Sequence, residues 1–414
     1  MAAGPLATLL AIGSALAVAF IASAVFRKTH VPDILFLLVT GAVLGPLLGI
    51  LDVAALREAL PLLAALAVIT ILFDGALEVT PQHVKTLGLS AIGLSFTVLV
   101  ATTLGCGAVA HYVAHLPWDL ALLLGLCFGG AGIAIIVPLA RRMSVSSGAL
   151  TVILLEAVTS DIFVIVGMFV ACTVVASGAF GPELGLDLLL SIVIAVVLGP
   201  AMGWLWTHFL KRWGTAANAY TATLAILLLV YAITETIGGS GPLAVLLFGI
   251  LVGNARGRDL KGPLRSRLFG EQLIEFHHEI VFFVRAAFFV SMGAVTRWEL
   301  LAQPAFLETG FLLAAVIGAC RMLGVGLVLG HNRGLGRWDK VATGLLFPMG
   351  LVTAAVSIVP RSFGILGAEA IADYAAVVIV LTNLLGTLAV FAASAVRLGR
   401  LRRERERSVG QIGS

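Results

Sequence analysis

Residues 151–170 read TVILLEAVTSDIFVIVGMFV, a run of twenty with two carboxylates, Glu156 and Asp161, in otherwise apolar surroundings. A helix of about 20 apolar residues spans the roughly 30 Å hydrocarbon core of a bilayer. Runs of this kind recur from end to end of the 414-residue chain, which is 60% hydrophobic and 12% charged with a mean hydropathy of +1.09. A water-soluble domain with so little charge would have almost no polar surface to present. The residue-by-residue alternation of a membrane barrel is absent. The sequence therefore predicts an all-α polytopic membrane protein. Its 46 glycines suit close helix packing and interrupted helices in lipid.

Several function classes fall away at this stage. Cys106, Cys127, Cys172 and Cys320 all lie in apolar stretches and read as small core residues. There is no Walker-type loop, no Cys/His cluster with metal-ligand spacing and no dinucleotide fingerprint. No nucleophile–base pair appears within the spans. The expectation is a protein that is not an enzyme, carries no cofactor and binds no nucleic acid. The first residues, Met1 to Leu10, lack a basic leader region and read as the start of a first span, not a cleaved signal.

About thirteen spans are predicted, near 5–25, 33–51, 60–79, 86–112, 118–140, 147–176, 184–210, 217–237, 241–254, 276–295, 305–330, 340–360 and 373–396. Basic residues then segregate. Twenty-one fall on one set of loops and the C-terminal tail, and only Arg57, Arg297 and Arg361 fall on the other. The positive-inside rule places the tail in the cytoplasm of a cell (inner) membrane protein and, with an odd number of crossings, the N-terminus outside. Trp118 and Trp298 mark outer boundaries, Trp213 and Trp338 inner ones. The tail, with its LRRERER run, reads as a solvated helix end against anionic lipid headgroups.

Three pieces of the first half recur in order in the second. TGAVLGP, with Gly41 and Gly45, matches FGILVGN, with Gly249 and Gly253. ILFDGALEV around Gly75 matches FFVSMGAVT around Gly293, and GGAGIAIIVP ending at Pro138 matches MGLVTAAVSIVP ending at Pro360. The offsets of 208, 218 and 222 residues nearly keep register. Corresponding spans are seven apart, so the copies cross in opposite senses, the inverted-repeat plan of many secondary transporters. The division that follows is a first helix and loop at 1–30, a first repeat at 31–180, linking spans at 181–240, a second repeat at 241–396 and a basic tail at 397–414. In such a plan the ion site lies where paired helices are interrupted. The fifth and twelfth spans are the ones to break, at Gly129, Gly130, Ala131 and Gly132 and at Gly350 and Thr353, with Pro138, Pro348 and Pro360 nearby. The plainer alternative is an ordinary packing helix softened by glycine.

Charges in the spans are costly unless paired or wetted, so each is a functional candidate. Five residues of helix turn Glu156 and Asp161 about 140° apart and offset them about 7.5 Å, so they face different neighbours. Asp161 is the candidate carrier: protons and cations can compete for a lone carboxylate in a partly desolvated site. Thr159 and Ser160 could add hydroxyl oxygens for a hard cation. Asp161 lies 23 residues after Pro138, and Asn383 lies 23 after Pro360, so one repeat carries the charge and the other a neutral amide. Glu156 and Arg321 read as a buried structural pair. Arg285 near midplane has three candidate partners, Glu156, Asp161 or a helix end, and pairing with Asp161 would make that acid purely structural. Asp74 lies two-thirds along the third span, and Arg285, Asp74 and Asn383 are grouped as charge modulators of the site. Glu78, Glu235 and Glu279 read as wetted end charges, and His277 and His278 as candidates for sensing pH.

These residues resemble the monovalent cation:proton antiporters, in particular the NhaP-like sodium/hydrogen exchanger branch. The resemblance runs through VPDILFLLVTGAVLGP, ILFDGALEV, FFVRAAFFVSMGA and FPMGLVTAAVSIV, and is most specific at Glu156-Ala-Val-Thr-Ser160-Asp161. It implies a thirteen-helix inverted-repeat antiporter fold with two crossed discontinuous helices, a Glu156–Arg321 pair, and Asp161 as carrier of Na+ or K+ and of H+. It also implies a homodimer working by elevator-like movement, with a role in pH homeostasis. Ser160 stands where the family has Asn, and Ala131-Gly132-Ile133 near where it has Thr-Asp-Pro. A single carrier carboxylate implies electroneutral one-for-one exchange. The competing expectations are a same-fold symporter of an organic anion, which would want more polar residues than Thr353 and Ser357 in the crossing helices, and a cation channel, which would need a continuous polar lining.

Overall fold

The computed structural model describes residues 5–29, 31–78, 81–178, 182–213, 219–258, 271–332 and 334–412. Among them there are helices and no strand: α1 (Pro5–Thr29), α2 (Asp33–Ala42) continued by a π-helical turn (Val43–Leu47), α3 (Val53–Glu78), α4 (Pro81–Tyr112), α5 (Trp118–Cys127), α6 (Ile133–Arg142), α7 (Ser147–Ser177) and α8 (Pro182–Trp213). The second half adds α9 (Ala219–Thr236), α10 (Gly241–Arg258), α11 (Glu271–Val295), α12 (Pro304–Leu329), α13 (Arg337–Leu345), α14 (Leu351–Val356), α15 (Val359–Ser362) and α16 (Glu369–Ile412). Seven helices among the described residues are by themselves long and apolar enough to cross a membrane, with stretches in α3, α4, α7, α8, α11, α12 and α16. Large apolar side chains face outward along α8, where Leu189, Val193, Val197 and Trp204 are exposed, as a lipid-facing helix requires.

The glycine motifs shared by the two halves do matching jobs. A Cβ on Gly41 would lie 2.0 Å from the Val290 carbonyl oxygen, and one on Gly293 would lie 2.2 Å from that of Leu38, so α2 and α11 touch backbone to backbone. In the mirrored pair, a Cβ on Gly249 would meet Ala76 at 2.6 Å and one on Gly253 would meet the Leu77 Cα at 3.2 Å. Spans two and ten thus pack as spans nine and three do, the exchange an inverted repeat produces. Glycine permits this approach because it adds no side chain of its own to the contact.

The two predicted interruptions are present. α5 stops at Cys127 and α6 resumes at Ile133; α13 stops at Leu345 and α14 resumes at Leu351. In the first gap Gly129, Gly130 and Gly132 weaken the helix, and in the second Pro348 removes a donor and disfavours helix in the residue before it. Pro138 and Pro360 mark no break: Pro138 sits inside α6, and Pro360 occupies the first turn of α15, where a missing N–H costs little. The gaps cross. The Gly132 N–H donates to the Pro348 carbonyl at 3.3 Å, and a Cβ on Gly350 would sit 2.7 Å from the Gly132 Cα. Helix termini meet back to back here, leaving backbone groups with no partner in their own helix to face the interior.

Candidate ion-binding site

α7 runs beside the crossing and presents its two carboxylates to different neighbours. Glu156 is fully buried and receives Arg321 of α12 through both oxygens, at 3.0 and 2.9 Å. Arg321 spends its Nε on the Thr343 carbonyl of α13 at 3.1 Å, and the Ser95 hydroxyl of α4 donates to the Glu156 carbonyl at 3.0 Å. A two-point guanidinium–carboxylate bond in a dry setting is geometrically demanding. It therefore ties α4, α7, α12 and α13 together.

Asp161, five residues further on, is also buried, but its surroundings are different. The backbone N–H of Ala131, in the first helix gap, points at its carboxylate. Oδ1 has no hydrogen-bond partner among the described residues, and a Cβ on Gly130 would come within 3.2 Å of it. Asp161 lines a cavity of about 30 Å³, room for one water or one stripped monovalent cation, walled also by Ile71, Leu72, Gly75, Ile133, Val158, Ile162 and Leu246. Asp74 of α3 lines the same cavity. Thr159 and Ser160 do not line it: their hydroxyls donate to the Leu155 and Ala157 carbonyls of their own helix, at 2.7 and 2.9 Å.

Asp74 is the residue whose place sequence reading underestimated. Its Oδ1 stands 3.6 Å from Nε2 of the buried His277 and 3.7 Å from Nδ1 of His278, and the Tyr220 hydroxyl is 2.9 Å from Nδ1 of His277. The signal was there, an acid one helical turn before Glu78 in an apolar span, but periodicity does not tell which cavity a helix face lines.

The second gap has its own polar partner. Asn383 of α16 is fully buried and donates to the Met349 carbonyl at 2.8 Å and the Ile379 carbonyl at 2.7 Å, while the Met349 N–H reaches Oγ1 of Thr382 at 3.3 Å. Thr353 is buried in α14; its hydroxyl lies 3.5 Å from the Met349 sulfur, and its carbonyl accepts from the Cys127 thiol at 3.1 Å.

Arg285 pairs with neither Glu156 nor Asp161 and meets a carboxylate at a helix end instead. Its partner is Asp33, buried in the first turn of α2, at 2.8 Å. Asp161 is therefore not held by Arg285. Asp33 follows Val31-Pro32 at the start of α2, and its meeting with Arg285 follows from the parallel contact of α2 and α11. Glu235 accepts from the Gly241 N–H at 2.7 Å and so caps the next helix. The side chains of Glu78 and Trp213 lie outside the described residues.

Comparison with known proteins enters at this point. Residues 16–395 match the family described as sodium/hydrogen exchanger, transmembrane. The K(+)/H(+) antiporter NhaP of Alkalimonas amylolytica is 27% identical over 260 residues, covering 60% of this chain and 44% of that one. The Na(+)/H(+) antiporter 1 of Methanocaldococcus jannaschii is 24% identical over 363 residues, 84% of this chain and 82% of that one. The chain thus spans less than half the length of the first relative and most of the second. The structure of the sodium proton antiporter MjNhaP1 from M. jannaschii at pH 8 superposes with a TM-score of 0.74 at 22% identity, covering 94% of this chain and 97% of that one.

Proposed function

The chain belongs to the transmembrane sodium/hydrogen exchanger family, and from that premise we propose that it is a secondary active antiporter exchanging Na+ or K+ for H+ at Asp161. The observation that carries this reading is Asp161 itself, buried beside a helix break, with Oδ1 unpartnered among the described residues and the residue lining a cavity the size of one small ion. A bare buried carboxylate is costly. Either a cation or a proton removes that cost, and the two cannot do so together, which makes one site sufficient for obligatory exchange. Asp74, in the wall of the same cavity, supplies further oxygen ligands for a hard cation.

With Asp161 as carrier, one proton replaces one monovalent cation and each cycle is electroneutral. The basic loops and tail face the cytoplasm of the cell membrane, and the protein works as a homodimer in which the crossed-helix bundle moves against the remainder. Printed names of the relatives include both Na+ and K+ antiporters, so both cations are candidates here.

The test is dequenching of a pH dye in proteoliposomes challenged with Na+, K+ and Li+. Wild type should collapse a proton gradient on addition of its cation, and Asp161→Asn should not. A silent wild type would remove the exchange reading; an active Asp161→Asn would remove Asp161 as carrier.

A further inference from the structure

The loops opposite the basic face contain three basic residues, Arg57, Arg297 and Arg361. All three line one cavity of about 250 Å³, which shares no lining residue with the Asp161 cavity. They arrive from separate elements: the first turns of α3, the turn that follows α11, and α15. Glu369 and Asp373, from the first turns of α16, are the two carboxylates in the wall, and Leu60, Val295, Ile358 and Ala372 form its apolar part.

One of the two carboxylates is already engaged. Buried Asp373 accepts Nε of Arg297 at 2.8 Å, a second guanidinium nitrogen of the same residue, and the Arg297 backbone N–H at 3.3 Å. Glu369 stands in the first turn of the long helix α16, where a negative charge compensates the helix dipole. Neither Arg57 nor Arg361 has a carboxylate within ion-pair distance among the described residues. Two uncommitted guanidinium groups therefore share a half-enclosed space with a third that is pinned in place. Gathering like charges around a concave, partly apolar wall costs energy unless an anion fills it.

We propose that this cavity binds a phosphate group, supplied either as free inorganic phosphate or as the headgroup of an anionic phospholipid. A tetrahedral oxyanion offers acceptors in several directions and can be shared by forks approaching from three elements, whereas a carboxylate offers two oxygens in one plane. The volume admits a phosphate with bridging waters or with the glycerol of a headgroup. Ser357 and Ile358, just beyond α14, line the cavity together with Met292 and Thr296 of the α11 end. A bound phosphate thus links the segment that follows the second helix break to α3 and α11. This binding depends on the fold alone and holds whatever ion is exchanged at Asp161.

The experiment uses the delipidated full-length protein in detergent and follows its melting temperature. Inorganic phosphate is titrated at constant ionic strength against chloride, and phosphatidylglycerol is titrated separately against phosphatidylcholine. A saturable rise in Tm with inorganic phosphate identifies the free ion, and one with phosphatidylglycerol alone identifies the lipid. In either arm the double variant Arg57→Gln/Arg361→Gln should lose the rise. Arg361→Lys keeps the charge but not the fork, so it should bind about tenfold more weakly, and it serves if the double variant does not fold. No specific rise in wild type from either source, or an undiminished rise in the variants, overturns the proposal.

Discussion

Asn383 stands to the second helix break as Asp161 stands to the first. Each lies 23 residues beyond the proline that closes its repeat motif, and each meets gap backbone: Asp161 faces the Ala131 N–H, and Asn383 donates to the Met349 carbonyl at 2.8 Å. The two gaps then meet through Gly132 and Gly350. The inverted repeat therefore places one ionisable and one neutral side chain on the two sides of a single crossing.

Removal of the amide should loosen the crossing while leaving Asp161 in place. Asn383→Ala gives up two buried hydrogen bonds and leaves the Met349 carbonyl without its side-chain donor. A cost of about 1–3 kcal/mol is expected, together with a raised half-saturating cation concentration and residual exchange. Proteoliposome transport against cation concentration, paired with a melting curve, measures both.

The contact between the gaps leaves no room for a methyl group. At Gly132 a Cβ would lie 2.9 Å from the Gly350 nitrogen and 3.1 Å from the Pro348 carbonyl oxygen. Gly132→Ala should destabilise by about 1–3 kcal/mol and depress exchange strongly. Gly326→Ala, where nothing lies within 4 Å, should leave the exchange rate as it is.

The Glu156–Arg321 pair should behave as a unit. Arg321→Met leaves a buried carboxylate unpaired and should cost about 3–5 kcal/mol. Adding Glu156→Gln should recover part of that loss, because the uncompensated charge goes with it. Thermal or denaturant unfolding of the two single variants and the double variant tests the coupling.

Asp74 lines the Asp161 cavity without touching the helix break. Asp74→Asn should weaken apparent cation affinity by several-fold, on the order of 1 kcal/mol, and leave transport intact. Complete loss of exchange would instead make Asp74 a second obligatory carboxylate.

Much of this was legible in sequence. Apolar runs located the helices, a glycine-rich segment located the first interruption and Pro348 with Gly350 the second, and a five-residue spacing on one helix separated the surroundings of Glu156 and Asp161. Pro360 misled, since a proline in a helix's first turn is tolerated, and Pro138 sits within α6 without ending it. Asp33 carried no visible sign of Arg285, because the two are 252 residues apart and meet through a glycine-permitted contact between α2 and α11.

What the sequence determined by itself was local: hydropathy, helix-breaking residues and periodicity depend on neighbours along the chain. Hydropathy thereby determined that the chain enters a membrane. Which charges meet was decided only by tertiary structure. Asp33 with Arg285 and Asp373 with Arg297 are set by how helices distant in sequence pack, and a buried charge is costly without the partner that packing brings to it.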